Sequence, residues 1–193
     1  YYVTPEMFEG VDDTERIQKA LKSGKNVLLT KASYRINKSL NVPKGIDLKG
    51  LNLSTIYPST TSQINLLGDN IIEGVVIDGE NDLYVGLEIH GSNIFVNNCC
   101  IKNMKFSSTV AIRTNPYHNE QGFIENINIS NCRFDNLSCV PDGNVGDGIG
   151  VTRAIAIGMG RHINIHNNIF ENLQEYEDSD YIHISAPKIN NVN

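Results

Sequence analysis

One phrase recurs down this chain: apolar-x-apolar-x-[Gly/Asn]-apolar-x-apolar. It reads Ile46-x-Leu48-x-Gly50-Leu51-x-Leu53, then Ile72-x-Gly74-Val75-x-Ile77, then Ile94-x-Val96-x-Asn98-Cys99-x-Ile101. It returns at Ile127 to Phe134 and at Ile163 to Phe170, and begins again at Ile189. The central residues Gly50, Gly74, Asn98, Asn131, Asn167 and Asn191 stand 24, 24, 33, 36 and 24 residues apart. Self-similarity at such a period means a solenoid. Alternation turns every second side chain inward, as in a strand. A residue that tolerates the left-handed region marks a sharp bend between two short strands. The expectation is an all-β solenoid, a right-handed parallel β-helix of three strands per coil and about seven coils. Its inner columns would run Leu51, Val75, Cys99, Cys132, Asn168 and Val192, and Leu53, Ile77, Ile101, Phe134 and Phe170.

The third strand of each coil shows as an inward pair: Ile64/Leu66, Leu87/Ile89, Val110/Ile112, Ile155/Ile157 and Ile182/Ile184. The two longer periods then come from corner insertions at 113–122, after this strand, and 138–148, before it. Solenoid insertions project on one side, where binding residues concentrate. Residues 12–24 predict a helix, with Asp12 and Glu15 at capping-box spacing, an apolar stripe of Ile17, Ala20 and Leu21, and Gly24 as the stop. Such a helix caps the first coil, whose open edge would otherwise invite association. The chain therefore divides into an N-terminal segment and capping helix, 1–25, and a β-helix, 26–193, that stops in mid-coil as a truncated solenoid would.

With 16 Lys and Arg against 22 Asp and Glu, the chain carries a net charge of −6, which argues against nucleic acid as a partner. Nothing approaches the ~18 consecutive apolar residues of a membrane helix. The four cysteines lack metal or redox spacing. Cys99 and Cys132 share an inward slot in successive coils, so a disulfide is within reach, and buried free thiols are the favoured reading. Asn98, Asn131, Asn167 and Asn191 suit the bends, where stacked amides form a ladder. His162 and His166, about 13 Å apart by strand rise, are too far apart to share a metal. No metal and no cofactor is expected.

The opening Thr4-Pro5-Glu6-Met7-Phe8 and Asp12-Asp13-Thr14-Glu15-Arg16-Ile17-Gln18-Lys19-Ala20-Leu21 resembles the start of the pectate-lyase-like β-helices of bacteriophage tailspikes. The likeness continues through Tyr34-Arg35-Ile36, Leu40-x-Val42-Pro43-x-Gly45-Ile46 and the later Asn-Cys-x-Phe-x-Asn-Leu. Two departures are a glycine-rich stretch shortened to Glu9-Gly10-Val11, and Ala32-Ser33 where Pro-Gly is usual. The resemblance implies a homotrimeric tail protein of the virion, alongside other phage tail proteins, that binds and usually cleaves a bacterial capsule, O-antigen or exopolysaccharide. Its alternatives are a secreted polysaccharide lyase or glycoside hydrolase, and a non-catalytic glycan-binding β-helix. Catalytic residues move between coils in this superfamily, so none is carried over by position.

The residues themselves offer an acidic corner before the third strand: Glu80 and Asp82, then Asp142 and Asp147, then Glu175, Glu177, Asp178 and Asp180. Glycoside cleavage uses two carboxyl groups, about 5–5.5 Å apart for retention and 6.5–9.5 Å for inversion. Asp178 and Asp180, with Asp147 of the previous coil, are the catalytic candidates, gathered like charges holding one of them protonated. A solvated acidic turn is the competing reading. Glu88, Arg113 and His183 on the outer wall, Arg153 just before its strand, and Tyr117 on the loop after the wall, are the substrate-binding candidates. The wall would run Asn65, Glu88, Ala111, Ala156, His183 in one column, with His90 and Arg113 in the next. Ile71 and Phe95, outward in adjacent coils, predict a covered face, the cover being the N-terminal segment or a trimer neighbour.

Overall fold

A computed structural model describes residues 1–114, 123–140, 150–174 and 179–185. A short strand β1 (Tyr2–Val3) and helix α1 (Asp13–Lys22) precede six coils. These are β2 (Asn26–Leu29), β3 (Ser33–Ile36) and β4 (Leu40–Val42); β5 (Leu48–Pro58) and β6 (Ile64–Leu66); β7 (Asn70–Asp78) and β8 (Val85–Ile89); β9 (Ile94–Asn97), β10 (Cys100–Phe106) and β11 (Thr109–Thr114); β12 (Ile124–Ser130), β13 (Arg133–Cys139) and β14 (Thr152–Gly158); β15 (Gly160–His166), β16 (Ile169–Leu173) and β17 (Asp180–Ser185). Every pairing between neighbouring coils is parallel. One sheet runs β17-β14-β11-β8-β6-β4, and the other strands form an 11-stranded sheet around the rest of the tube. This is the parallel β-helix the repeat predicts. The coil expected from Ile189 lies outside the described residues.

Helix α1 starts where Asp12 accepts the Glu15 amide at 2.8 Å, while Glu15 accepts that of Val11 at 2.9 Å. Ile17, Ala20 and Leu21 are fully buried against the first coil. Gln18 exchanges two hydrogen bonds with the Asn41 backbone, which ties the cap to β4. The core is a tube of Ile, Leu and Val, each burial contributing about 1.5–3 kcal/mol. Phe134 and Phe170 stack between adjacent coils at 5.2 Å and 10°. Cys99 and Cys132 are buried free thiols, as are Cys139 and the half-buried Cys100. A hydrogen bond with Cys132, together with burial, pushes the Cys99 thiol up.

The bends follow the sequence reading and exceed it. Asn98, Asn131 and Asn167 have φ of 51, 55 and 56°. Their amide ladder is offset by one residue, since Asn131 donates to Asn97 at 2.8 Å. Two further left-handed rows exist: Asp69, Asn93, Asn126 and His162, and Asn103, Asn136 and Asn172. Side chains bond from coil to coil along both: Asn93 to Asp69 at 2.6 Å, Asn126 to Asn93 at 2.9 Å, and Asn136 to Asn103 at 2.8 Å.

One stretch departs from expectation. Lys49 aligns with Glu73, yet Ser54 aligns with Val75 and Ile56 with Ile77, so Leu51, Asn52 and Leu53 are extra. They loop outward, with Asn52 and Leu53 at φ of 53 and 60°, and Leu51 and Leu53 are 47 and 49% exposed. Ser54 and Ile56, both fully buried, fill the inner columns instead. The excursion begins at Gly50, where a side chain would meet the Gly74 carbonyl at 2.2 Å, so only glycine fits there. Ile71 and Phe95 align with each other and remain 37 and 47% exposed. Of the proposed N-terminal cover, Tyr2 pairs with Asn26 and Phe8 packs on the core.

Candidate functional site

The outer face of the six-stranded sheet carries the polar side chains, because alternation sends Ile64, Leu87, Ile112 and Ile155 inward. Its central column reads Asn41, Asn65, Glu88, Arg113, Ala156 and His183. This corrects the sequence register of β11 by two residues. Ile112 and Thr114, not Val110 and Ile112, fill the slots of Leu87 and Ile89. Ala111 is fully buried in the core. Thr114 escapes a hydrophobicity reading because it is polar, but its hydroxyl donates to the Gly158 carbonyl at 3.0 Å and accepts the Gly158 amide at 2.8 Å. The slip matters, since it sets Arg113 directly beside Glu88.

Glu88 is 4% exposed although it points outward. Arg113 donates through Nε to Glu88 Oε1 at 2.6 Å and reaches Tyr84 Oη at 3.0 Å, its guanidinium lying over the Tyr84 ring. Gln63 bonds both Glu88 and Asn65, and Asn65 bonds Asn41 at 2.9 Å. His90 Nε2 completes the set, 3.0 Å from Glu88 Oε2. Gln63 and Tyr84 are partners that the sequence did not single out. The signal for Gln63 was its place beside outward Asn65 in a polar strand entry.

Two coils further along is a second group. Arg153 aligns with Asp180, and His183 aligns with Ala156. Asp180 Oδ2 stands 2.9 Å from His183 Nδ1 and 3.7 Å from Arg153 Nε. Asp180 is 41% exposed at its side chain, against 13% for Arg153 and 30% for His183. A hollow of about 30 Å³ is lined by Thr152, Leu173, Ser179, Asp180 and Tyr181 and is large enough for a water molecule. Ala156, a buried residue, separates Arg113 from His183, which are two strand spacings apart, about 10 Å.

Of the candidates read from sequence, Glu88 and Arg113 come together, and so do Arg153, Asp180 and His183. Asp147, Asp178 and Tyr117 lie outside the described residues. The acidic corner divides. Glu80 is held bidentately by Arg35 at 2.7 and 2.8 Å, and that hydrogen-bonded pair keeps its carboxyl below the usual range. Asp82 accepts from Thr60. Among the described residues the groups brought to Asp180 are cation-forming, not carboxylates. Such a carboxylate can serve as base or nucleophile. The other carboxylate of this face, Glu88, is three strands away, about 14 Å across the sheet, beyond the glycosidase windows. Among the described residues no group of three His, Cys, Asp or Glu could hold a metal ion, and no helix is long and apolar enough to cross a membrane.

Residues 9–185 match a family model described as rhamnogalacturonase A/epimerase, pectate lyase-like. A similar solved structure is the catalytic unit of a thermostable GH87 alpha-1,3-glucanase from Streptomyces thermodiastaticus strain HF3-3. The identity is 14% and the TM-score 0.48, over 94% of this chain and 42% of that one. The chain thus spans less than half of that structure. No curated protein matches it.

Proposed function

From the premise that the chain belongs to the rhamnogalacturonase A/epimerase, pectate lyase-like family, we propose that it is a polysaccharide-cleaving enzyme working on the outer face of its six-stranded sheet, outside the cell. The observation that carries this is the Asp180–His183 pair beside Arg153, half exposed at one end of a continuous polar track. The track runs from Asn41 to His183 across five strand spacings, about 24 Å, long enough for several sugar rings. Amides along it bond hydroxyls. Asp180 acts as base or nucleophile, His183 orients it through Oδ2, and Arg153 stands as an ion partner to that same oxygen. Asp178 or Asp147 is the proposed second carboxyl, the acid.

The family match supports a secreted hydrolase or lyase better than a phage tailspike. A tailspike would bury Ile71 and Phe95 between subunits of a trimer, and their side-by-side exposure is the feature that favours that assembly. A glycan-binding role without cleavage is favoured by the distance between Glu88 and Asp180. One experiment separates these readings. Purified protein is incubated with a panel of polysaccharides and assayed for new reducing ends, with Asp180→Asn and His183→Ala beside the wild type. The enzyme reading expects Asp180→Asn to lose about 100-fold in rate, or about 2.7 kcal/mol of transition-state stabilisation, while still binding polymer. Equal rates in all three proteins exclude this site. Retention of a polysaccharide with no cleavage of it leaves the binding role.

A further inference from the structure

Resting on that reading, we infer that the glycan lying on this face is uncharged, a neutral polysaccharide rather than a polyuronate. Both arginines of the face already face carboxylates of the protein itself. Arg113 is committed to Glu88 and to the Tyr84 hydroxyl, and Arg153 stands against Asp180. The histidines follow the same pattern, His90 on Glu88 and His183 on Asp180. A uronate seeking Arg113 would have to displace Glu88 and strand a charge that is 4% exposed, at a cost of several kcal/mol. The rest of the track is amide: Asn41, Gln63 and Asn65, bonded in series. Amides present donors and acceptors together, which match sugar hydroxyls and offer a carboxylate no net charge.

The chain attached to these strands strengthens the point. Segments 115–122, 141–149, 175–178 and 186–193, which adjoin β11, β14 and β17, carry in sequence Glu120, Asp142, Asp147, Glu175, Glu177 and Asp178 against Lys188 alone. They add to the acidity of the chain, which repels a polyanion. The net charge of −6 acts the same way over longer range. The chemistry follows from the substrate. A neutral ring has no carboxylate to acidify its C5 proton, so elimination has no starting point and cleavage is hydrolysis. The anomeric carbon–oxygen bond breaks, a water oxygen bonds to that carbon, and a proton ends on the leaving oxygen.

Affinity electrophoresis tests this, with the full chain run in gels containing a soluble neutral glucan, a neutral galactomannan, polygalacturonate or chitosan, each at low and high salt. The expected result is retardation by a neutral polymer at least about tenfold tighter than by polygalacturonate and insensitive to salt. Asp180→Asn, which removes the carboxylate facing Arg153, is expected to gain salt-sensitive retardation by polygalacturonate, with folding checked by its melting curve. Tighter binding of wild type to polygalacturonate or to chitosan than to either neutral polymer overturns the inference and leaves the polysaccharide reading standing. Retardation by none of the four overturns both.

Discussion

Two arginine–carboxylate pairs sit on one face of this solenoid, and they are built for different ends. Glu88 and Arg113 approach to 2.6 Å, and the glutamate side chain is 5% exposed with Gln63 and His90 around it. Asp180 and Arg153 stand 3.7 Å apart, and the aspartate is 41% exposed beside a water-sized hollow. The first pair is saturated and can only hold the wall together. The second keeps its carboxylate accessible, which a reacting group requires and a structural one does not. Both join a guanidinium to a carboxylate, so environment decides the role.

The comparison breaks most visibly in stability. Glu88→Ala leaves Arg113 and Gln63 without their shared acceptor, and is expected to cost about 3–5 kcal/mol in urea denaturation. Asp180→Ala is expected to cost less than about 1 kcal/mol. Equal losses would mean the two pairs do not differ as described. A smaller effect checks the register that places Arg113 beside Glu88. Thr114→Val keeps the inner slot filled but leaves the Gly158 amide and carbonyl short of a partner, and is expected to cost about 1–3 kcal/mol. A change near zero would show that Thr114 does not face inward.

A third pair, Arg35 with Glu80, lies in the open and sharpens the contrast by pH. Glu80 is held below its ordinary value of 4.5 in the folded chain. Its contribution is therefore present above that value and fades as the pH falls through the lowered one. Melting temperatures of wild type and Glu80→Gln should differ slightly at neutral pH and converge in acid; divergence in acid would contradict the sign. The smallest effect belongs to Leu51→Lys, within about 0.5 kcal/mol of wild type, because the residue points to solvent.

The sequence announces the coil, the capping helix and the bends at Asn98, Asn131 and Asn167, since each rests on a local rule about alternation, capping or left-handed backbone. It conceals whatever a neighbouring strand decides. Leu51 and Leu53 continue the alternation and still leave the core, because Ser54 and Ile56 take the slots opposite Val75 and Ile77. Thr114 breaks the alternation and still enters the core, because Gly158 offers it both partners. Of the site, Glu88, Arg113 and His183 were legible as outward polar residues, Asp180 as part of the acidic corner, and Arg153 as the residue leading into its strand. Their division into two groups was not, because it turns on the two-residue phase of β11.

The outward detour at Leu51–Leu53 has a consequence for how such a molecule changes over generations. Three residues are gained within one strand, and the next coil begins in step with the last. Each turn touches only the turns on either side of it, so a change in length is forgotten one layer away. Codons can enter or leave at a corner without disturbing the distant walls. Segments of new chemistry can therefore be tried against an unchanged surface, one turn at a time.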